Sequence, residues 1–591
     1  MAPLAGFCIF MKKQLLLFFL ALSYISLYCQ KNDYVWIFGY EGGNQSNPND
    51  EFGNAILDFS PANKPTLQVH QEYDMNFSTT CATICDQTGK LQFYTNGEKI
   101  YNYHHILMDN GEDINTNENG YGYQAPQGAI AIPLPDQEKK YALFHFTDKV
   151  FSDIGVAGIE LYYNEIDMNM NNGLGKVTKK RILMLKDTLT WGKISAIKHA
   201  NGRDWWVLMG TDHTNKIYEV LLTPDGAKTS DTLITDTICQ DGLGQATFSP
   251  DGSKYIRANS VMLGEPFRVD VFDFDRCTGQ LSNRRTKFLD YPGFGVGVAV
   301  SPDSRYLYVM RTTKAFQYDL TADDIFATET LVAEWDGFIS GAVYGSYFRF
   351  SQLGPDGRIY AASSPTFHLH QVNFPNRKGA ACDFRQHSIN LTVYNDYTIP
   401  NFPNYRLGPV DGSSCDTLGI NNNPLANFRW EHEDSLDLLN VTFTDLSAYE
   451  PAQWHWDFGD GSTSQDTSPV HVFPAAGAYY VCLTVSNANS ADTFCQQVTI
   501  GVSGAEEART FPRAEVSPNP FRSSLHISLP ASFYDVPQFV LFDLLGREVA
   551  AVRLQDSETK AYFPHLPPGV YLWELRIEGA VTQTGKIVHV E

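Results

Sequence analysis

The sequence predicts an all-β chain: a β-propeller of six to eight blades, seven best matching the spacing, followed by two smaller β-sandwich units. Three observations carry this. A turn-plus-strand pattern recurs through the first two thirds of the chain. The composition suits pleated surfaces joined by many turns, with 13% aromatic residues, 45 Gly and 30 Pro. Two later segments of short alternating strands are set off by polar breakers, and 591 residues exceed what one core serves.

The chain opens on an export signal, placed over residues 1–30. Met11-Lys12-Lys13 is a short basic start and Gln14 to Leu27 an apolar run of signal length, with residues 1–10 read as an upstream start extension. Tyr28 is too bulky to precede a lipidated Cys29. No other run approaches the ~20 apolar residues of a membrane helix, so no transmembrane anchor is expected.

Residues 31–415 form the repeat region. Ser249-Pro-Asp-Gly-Ser-Lys-Tyr-Ile, Ser301-Pro-Asp-Ser-Arg-Tyr-Leu-Tyr and Gly354-Pro-Asp-Gly-Arg-Ile-Tyr-Ala each place a tight turn before an aromatic, alternating strand. Weaker copies start near Asp86, Asp136 and Asn201. Turns recurring about every 50 residues, with several strands per unit, are the mark of a propeller. Tyr34-Val-Trp-Ile-Phe and Ala55-Ile-Leu-Asp-Phe could close the ring with the segment around 384–394.

After a linker over 416–427, containing Asn421-Asn-Asn-Pro424, comes a strand-rich unit over 428–502. Its Trp456-Asp-Phe-Gly-Asp-Gly461 alternates Trp456 and Phe458 inward before a glycine turn. With Pro469-Val-His-Val-Phe473 and Gly477-Ala-Tyr-Tyr-Val-Cys-Leu-Thr-Val-Ser-Asn487, it resembles a polycystic-kidney-disease-type (PKD) domain, which implies an immunoglobulin-like sandwich. Asp457 and Asp460 fit the hydrogen-bonding needs of that turn better than a calcium site.

A second linker over 503–514 leads to the last unit, 515–591. Ser517-Pro-Asn-Pro-Phe521, Phe542-Asp-Leu-Leu-Gly-Arg547, Leu566-Pro-Pro-Gly-Val-Tyr571 and Gly585-Lys-Ile-Val588 follow one another at the C-terminus. This segment resembles the type A sorting domain of the type IX secretion system. The resemblance implies passage across the outer membrane by that machinery, removal of the domain, and a product that is secreted or held at the cell surface. The region 31–415 also resembles the propellers found upstream of such modules, through Cys81-Ala-Thr-Ile-Cys-Asp86, Phe93-Tyr-Thr-Asn-Gly97 and Leu407-Gly-Pro-Val-Asp-Gly-Ser-Ser-Cys-Asp416.

Eight cysteines follow the signal, and an even set in an exported chain reads as disulfides. Pairing by sequence neighbourhood gives Cys81–Cys85, Cys239–Cys277, Cys382–Cys415 and Cys482–Cys495. The formal net charge of −23, without a basic run, excludes nucleic acid as a partner.

No His-Glu-x-x-His, Gly-x-Ser-x-Gly or Walker-type loop occurs, and no catalytic residue, cofactor or metal is expected. His104-His105 and His368-Leu-His370 are the only close histidine sets and read as ordinary strand or loop residues. Propellers bind ligands at the channel mouth. The polar insertion Asp109 to Gln127 offers Tyr121 and Tyr123 as candidate ligand-binding aromatics, able to stack on sugar rings or anchor a protein. The function expected is non-enzymatic binding or adhesion to a glycan or protein. The alternative is a hydrolase or lyase acting on extracellular polymer, with its site assembled from several blades.

Overall fold

The structure is a computed structural model. It describes residues 30–590 apart from 41–51, 62, 71–72, 74, 116–121, 152–154, 240–241, 261–266, 291–294, 341–343, 364, 433–436, 502–514, 529–537, 544–546, 555–557, 564–565 and 578–579. The expected signal, the second linker and Tyr121 fall outside this set. The chain divides into two compact units. One gathers the chain up to Glu433 with Asn440–Val472 and Tyr479–Val498; the other takes Asp434–Leu439, Phe473–Ala478 and Thr499–Glu591.

The first unit is dominated by a β-propeller. Among the described residues, seven antiparallel sheets of three or four strands follow one another between Val35 and Asn395. The strands nearest the axis include Ala82–Cys85, Ala129–Pro133, Ser195–Lys198, Leu243–Phe248, Val296–Val300 and Ser351–Leu353. They are short and almost wholly buried, as strands covered on both faces must be. Outer strands such as Leu281–Leu289 mix exposed and half-buried positions.

The Pro-Asp-Gly turns stand at the far ends of these inner strands. Gly252 and Gly357 take φ of +74° and +75°, the left-handed region that glycine enters without a Cβ clash. The Asp251 carboxylate accepts from Ser249 Oγ (2.5 Å) and the Ser253 amide (3.0 Å), and Asp303 repeats the arrangement with Ser301 and Arg305. Ser304 occupies the glycine position of its copy at φ 62°, where its hydroxyl accepts from the Asp251 amide of the neighbouring sheet at 2.9 Å.

The ring closes between its two ends. Trp36 of the first sheet packs on Tyr360 of the last (ring centroids 5.4 Å), and Phe59 on the same ring at 5.6 Å. The segment Ile399–Arg406 then runs down the channel beside Trp36, which meets Phe402 at 5.7 Å. Asn401 Nδ2 donates to the carbonyls of Ala129 (3.1 Å) and Ile194 (2.9 Å), and Tyr405 Oη donates to Ala131 O (2.8 Å). Arg406 ends the run with both guanidinium nitrogens on the buried Asp33 carboxylate, each at 2.7 Å.

This path decides the disulfides. Cys277 of the fifth sheet bonds Cys415, which lies just beyond the channel segment, in place of the expected 239–277 and 382–415 pairs. Cys382 is a buried thiol in the turn Gly379–Cys382, and the side chain of Cys239 lies outside the described residues. The expected Cys81–Cys85 bridge is also absent, both being buried thiols. Four residues of extended chain span about 13 Å, roughly twice the Cα separation a disulfide tolerates. Cys482–Cys495 forms as expected.

The PKD-like sandwich places Trp456 at its centre, against Phe428 (5.0 Å) and Phe443 (5.4 Å). Asp457 and Asp460 accept the amides of Gly459 and Ser462, each at 2.9 Å, and Asp460 also meets His471 at 2.8 Å. At the turn end of the ring, Arg358 pairs with Asp356 (2.7 Å) and with Glu431 of the sandwich (3.2 Å). Arg429 lies against the same Glu431 and donates to Asn373 O at 2.6 Å.

The second unit is a two-sheet sandwich with a core that includes Phe521, Leu525, Ile527, Phe539, Leu541 and Trp573. Its first and last sequence blocks are joined directly: Asn519 Oδ1 accepts from the Val588 amide (2.9 Å) and Asn519 Nδ2 donates to Lys586 O (3.0 Å).

Candidate functional site

The channel offers little room for a ligand. The inner strands and the Ile399–Arg406 segment leave a cavity of about 60 Å³. That is space for a couple of waters, against the several hundred Å³ of a drug-sized site. Gln127 bridges the gap, donating to Ala246 O (2.8 Å) and Asn401 Oδ1 (3.0 Å).

The mouth at the end where the inner strands begin is different. Connections between successive sheets converge there around a cavity of about 220 Å³. Its apolar wall is Trp191, Leu243, Phe350 and Tyr397, and its polar groups include Gln124, Arg349 and Asp396. Trp191 and Tyr397 are both half-buried and both line the cavity. Trp191 is fixed by its indole N–H donating to Asp148 Oδ2 at 3.0 Å.

Tyr397 has a left-handed backbone, φ 62°. A bulky residue rarely adopts this, and such strain of about 1–3 kcal/mol concentrates at ligand sites. The neighbours that hold it are visible. Asn395 Nδ2 donates to Thr398 O at 3.0 Å, Thr398 Oγ1 donates to Ser78 O at 2.6 Å, and the Arg349 guanidinium lies 5.7 Å from the Tyr397 ring centre. Arg349 is itself buried and donates to Thr312 Oγ1 at 3.3 Å. Gln127 (φ 50°) and Lys193 (φ 66°) are strained in the same sense near this end of the channel.

Asp396 faces the same space with one long hydrogen bond, from Ser78 Oγ at 3.4 Å. Burial pushes its carboxyl up from the ordinary range to about 6, with the Ser78 contact opposing the rise.

The expected exposed tyrosine is corrected. Tyr123 is only 5% exposed and packs edge-on against Phe146 at 5.4 Å, its amide donating to Asn96 O and its carbonyl accepting from the Thr80 amide, each at 3.0 Å. Its phenol is held well above the usual range by burial and by the nearby Asp148. The predicted loop therefore reaches the mouth through Gln124, while Tyr123 lies beneath and shares Asp148 with Trp191. Trp191, Arg349, Asp396 and Tyr397 escaped sequence reading because they come from three separate connections and carry no local motif.

The histidines serve packing. His370 is buried, with Nδ1 accepting from the His387 amide (3.0 Å), and burial lowers it to about 3. His105 Nδ1 meets Tyr94 Oη at 3.1 Å, and its ring stacks on Tyr73 at 3.7 Å. Among the described residues, no group of three or more His, Cys, Asp or Glu is placed to hold a metal ion.

The ring and the two sandwiches define a modular all-β protein. Residues 421–502 match the family described as "PKD domain", and residues 515–591 match the "Secretion system C-terminal sorting domain". The chain is thus a type IX secretion cargo protein, built as a β-propeller, a PKD domain and a C-terminal sorting domain, and it is secreted or held at the cell surface.

No curated protein matches the chain. Among solved structures, the PKD1 domain of Vibrio anguillarum Epp is 28% identical over 14% of this chain and 95% of that one, with TM-score 0.13. The PKD1 domain from Vibrio cholerae metalloprotease PrtV is 30% identical over 13% and 96%, with TM-score 0.12. The Myceliophteria thermophila Cps50 (Swd1) β-propeller domain is 11% identical over 56% and 93%, with TM-score 0.31. No helix among the described residues is long and apolar enough to cross a membrane.

Proposed function

We propose that this protein is a non-enzymatic surface or secreted binding protein whose propeller mouth holds a glycan. In this reading residues 31–415 carry the ligand, 428–502 act as a spacer and 515–591 deliver the chain. The observation that carries it is the pair of half-buried aromatics, Trp191 and Tyr397, lining the mouth cavity with Tyr397 held in a strained backbone. A ring face over an aromatic side chain is how sugars are gripped without dehydrating every hydroxyl. The cavity volume suits about one sugar ring rather than a larger cofactor.

The second reading, a polymer hydrolase, draws on Asp396, whose raised carboxyl suits a general acid. Glycoside hydrolysis ordinarily needs a second carboxylate across the bond, and among the described residues Asp396 is the only acidic one on this cavity wall. The test is an array of polysaccharides probed with the secreted chain and with Trp191→Ala and Tyr397→Ala. Binding that falls at least tenfold in both variants supports the proposal. Binding equal in all three removes the mouth as its site, and release of reducing ends that Asp396→Asn abolishes would favour the hydrolase.

A further inference from the structure

The balance of groups at the mouth narrows the chemistry of what it holds. Among the described residues, two charged side chains line the cavity, Arg349 and Asp396, of opposite sign. The Arg349 guanidinium is buried, committed to Thr312 and set against the rings of Tyr347 and Tyr397 at 5.9 and 5.7 Å. Asp396 is half-buried and lines the cavity, and the hydrogen bond it accepts from Ser78 is a long one, 3.4 Å, which leaves its carboxylate with acceptor capacity to spare. An anionic ligand would meet this carboxylate, within a chain of net charge −23. A cationic ligand would meet the guanidinium. A ligand with no charge and many O–H donors meets neither penalty and supplies what an accepting carboxylate needs.

We propose that the mouth takes a neutral, polyhydroxylated ring, an uncharged sugar unit, with Asp396 accepting hydrogen bonds from its hydroxyls while Trp191 covers one ring face. This rests on the reading of the mouth as a glycan site. It makes Asp396 the residue that sets specificity, since a carboxylate accepts from hydroxyls and rejects carboxylated sugars at the same position. Protonation removes that acceptor charge, so retention of the ligand weakens as pH falls through the range where Asp396 titrates. The other charged side chain at the wall among the described residues is Arg349, and those of Ser78, Thr79, Gln124, Trp191, Leu243 and Phe350 carry no acid or base that titrates near neutral pH.

The experiment uses the full secreted chain against three oligosaccharide sets, built from neutral hexoses, uronate-bearing sugars and amine-bearing sugars, at pH 7.5 and pH 5. The expected result is binding to neutral sugars, at least tenfold weaker for Asp396→Asn at pH 7.5. Wild type should lose several-fold in affinity from pH 7.5 to pH 5, while Asp396→Asn stays flat. Binding confined to uronate-bearing or amine-bearing sugars overturns the proposal. So does neutral-sugar binding that Asp396→Asn leaves unchanged. If Trp191→Ala leaves every glycan bound as before, the site reading itself fails, which is a separate result from a change of preferred sugar. An unchanged or higher Tm for Asp396→Asn confirms that its loss of binding is not a loss of fold.

Discussion

Tyr397, Ser304 and Asp396 show how single residues carry a conformational or electrostatic penalty for different reasons. Ser304 stands in left-handed backbone yet gains a hydrogen bond across sheets. Ser304→Gly should therefore change stability by less than about 1 kcal/mol, relief of strain offsetting the lost bond, whereas Ser304→Ala should cost about 1–2 kcal/mol. Urea midpoints separate the two. Tyr397 stands in the same left-handed region, so Tyr397→Gly should leave Tm unchanged or raise it while removing glycan binding. A Tm that falls by many degrees would make Tyr397 a structural residue. Asp396 links fold to pH. Its folded carboxyl titrates near 6, above the ordinary unfolded value of about 4. The folded state therefore binds more protons in between, and this group favours folding increasingly as pH falls from above 6 toward 4. Asp396→Asn should raise Tm at pH 8 and leave it unchanged near pH 4.

At the scale of elements, the chain after Asn395 matters most. The segment Ile399–Arg406 fills the channel, closes the ring beside the first sheet and delivers Asp396 and Tyr397 to the mouth. Its lower end is held by Arg406 on Asp33, and Arg406→Ala strands a buried carboxylate at a cost of about 3–5 kcal/mol. The double variant Arg406→Met with Asp33→Asn should recover much of that loss, measured by the same denaturant curves. Just beyond, Cys277–Cys415 closes a 138-residue span, against 13 for Cys482–Cys495. In the chain-entropy model these are worth about 5 and 3 kcal/mol, so Cys415→Ser should lower stability more than Cys482→Ser. Equal losses would mean that the longer loop stays ordered when the protein unfolds. Of this, the Cys482–Cys495 bridge was legible in the sequence, whereas the channel segment and the Cys277–Cys415 bridge were not. Asn395 to Pro409 has no regular alternation, because its polar side chains satisfy carbonyls of other sheets, and the pairing of Cys415 depends on where that irregular path emerges.

At the scale of the whole molecule, reading the sequence succeeded where structure is local. The Pro-Asp-Gly copies place a left-handed residue and an Asp-capped turn within four residues. Trp456 at the end of one short strand and Phe458 just beyond it enter the sandwich core together, and the sorting blocks keep a readable order because Asn519 binds the last strand directly. The mouth stayed hidden for the opposite reason. Its residues are up to 319 positions apart, from Ser78 to Tyr397, and meet only after the ring has closed. Delivery follows the sorting domain: a chain ending at residue 514 should fold its propeller, accumulate on the inner side of the outer membrane, and be missing from surface and medium when cells are fractionated. The tie between ring and sandwich should resist small changes, but Glu431→Ala leaves Arg358 and Arg429 buried without their shared carboxylate and should cost several kcal/mol.

The most direct test of the account is hydrogen–deuterium exchange of the secreted chain with and without a saturating bound oligosaccharide. Protection is predicted at residues 76–80, 189–195, 347–350 and 395–400, the connections that build the mouth. Protection confined to the opposite end, at 249–256, 301–306 and 354–358, or to the sandwiches, would contradict the placement of the ligand at the mouth.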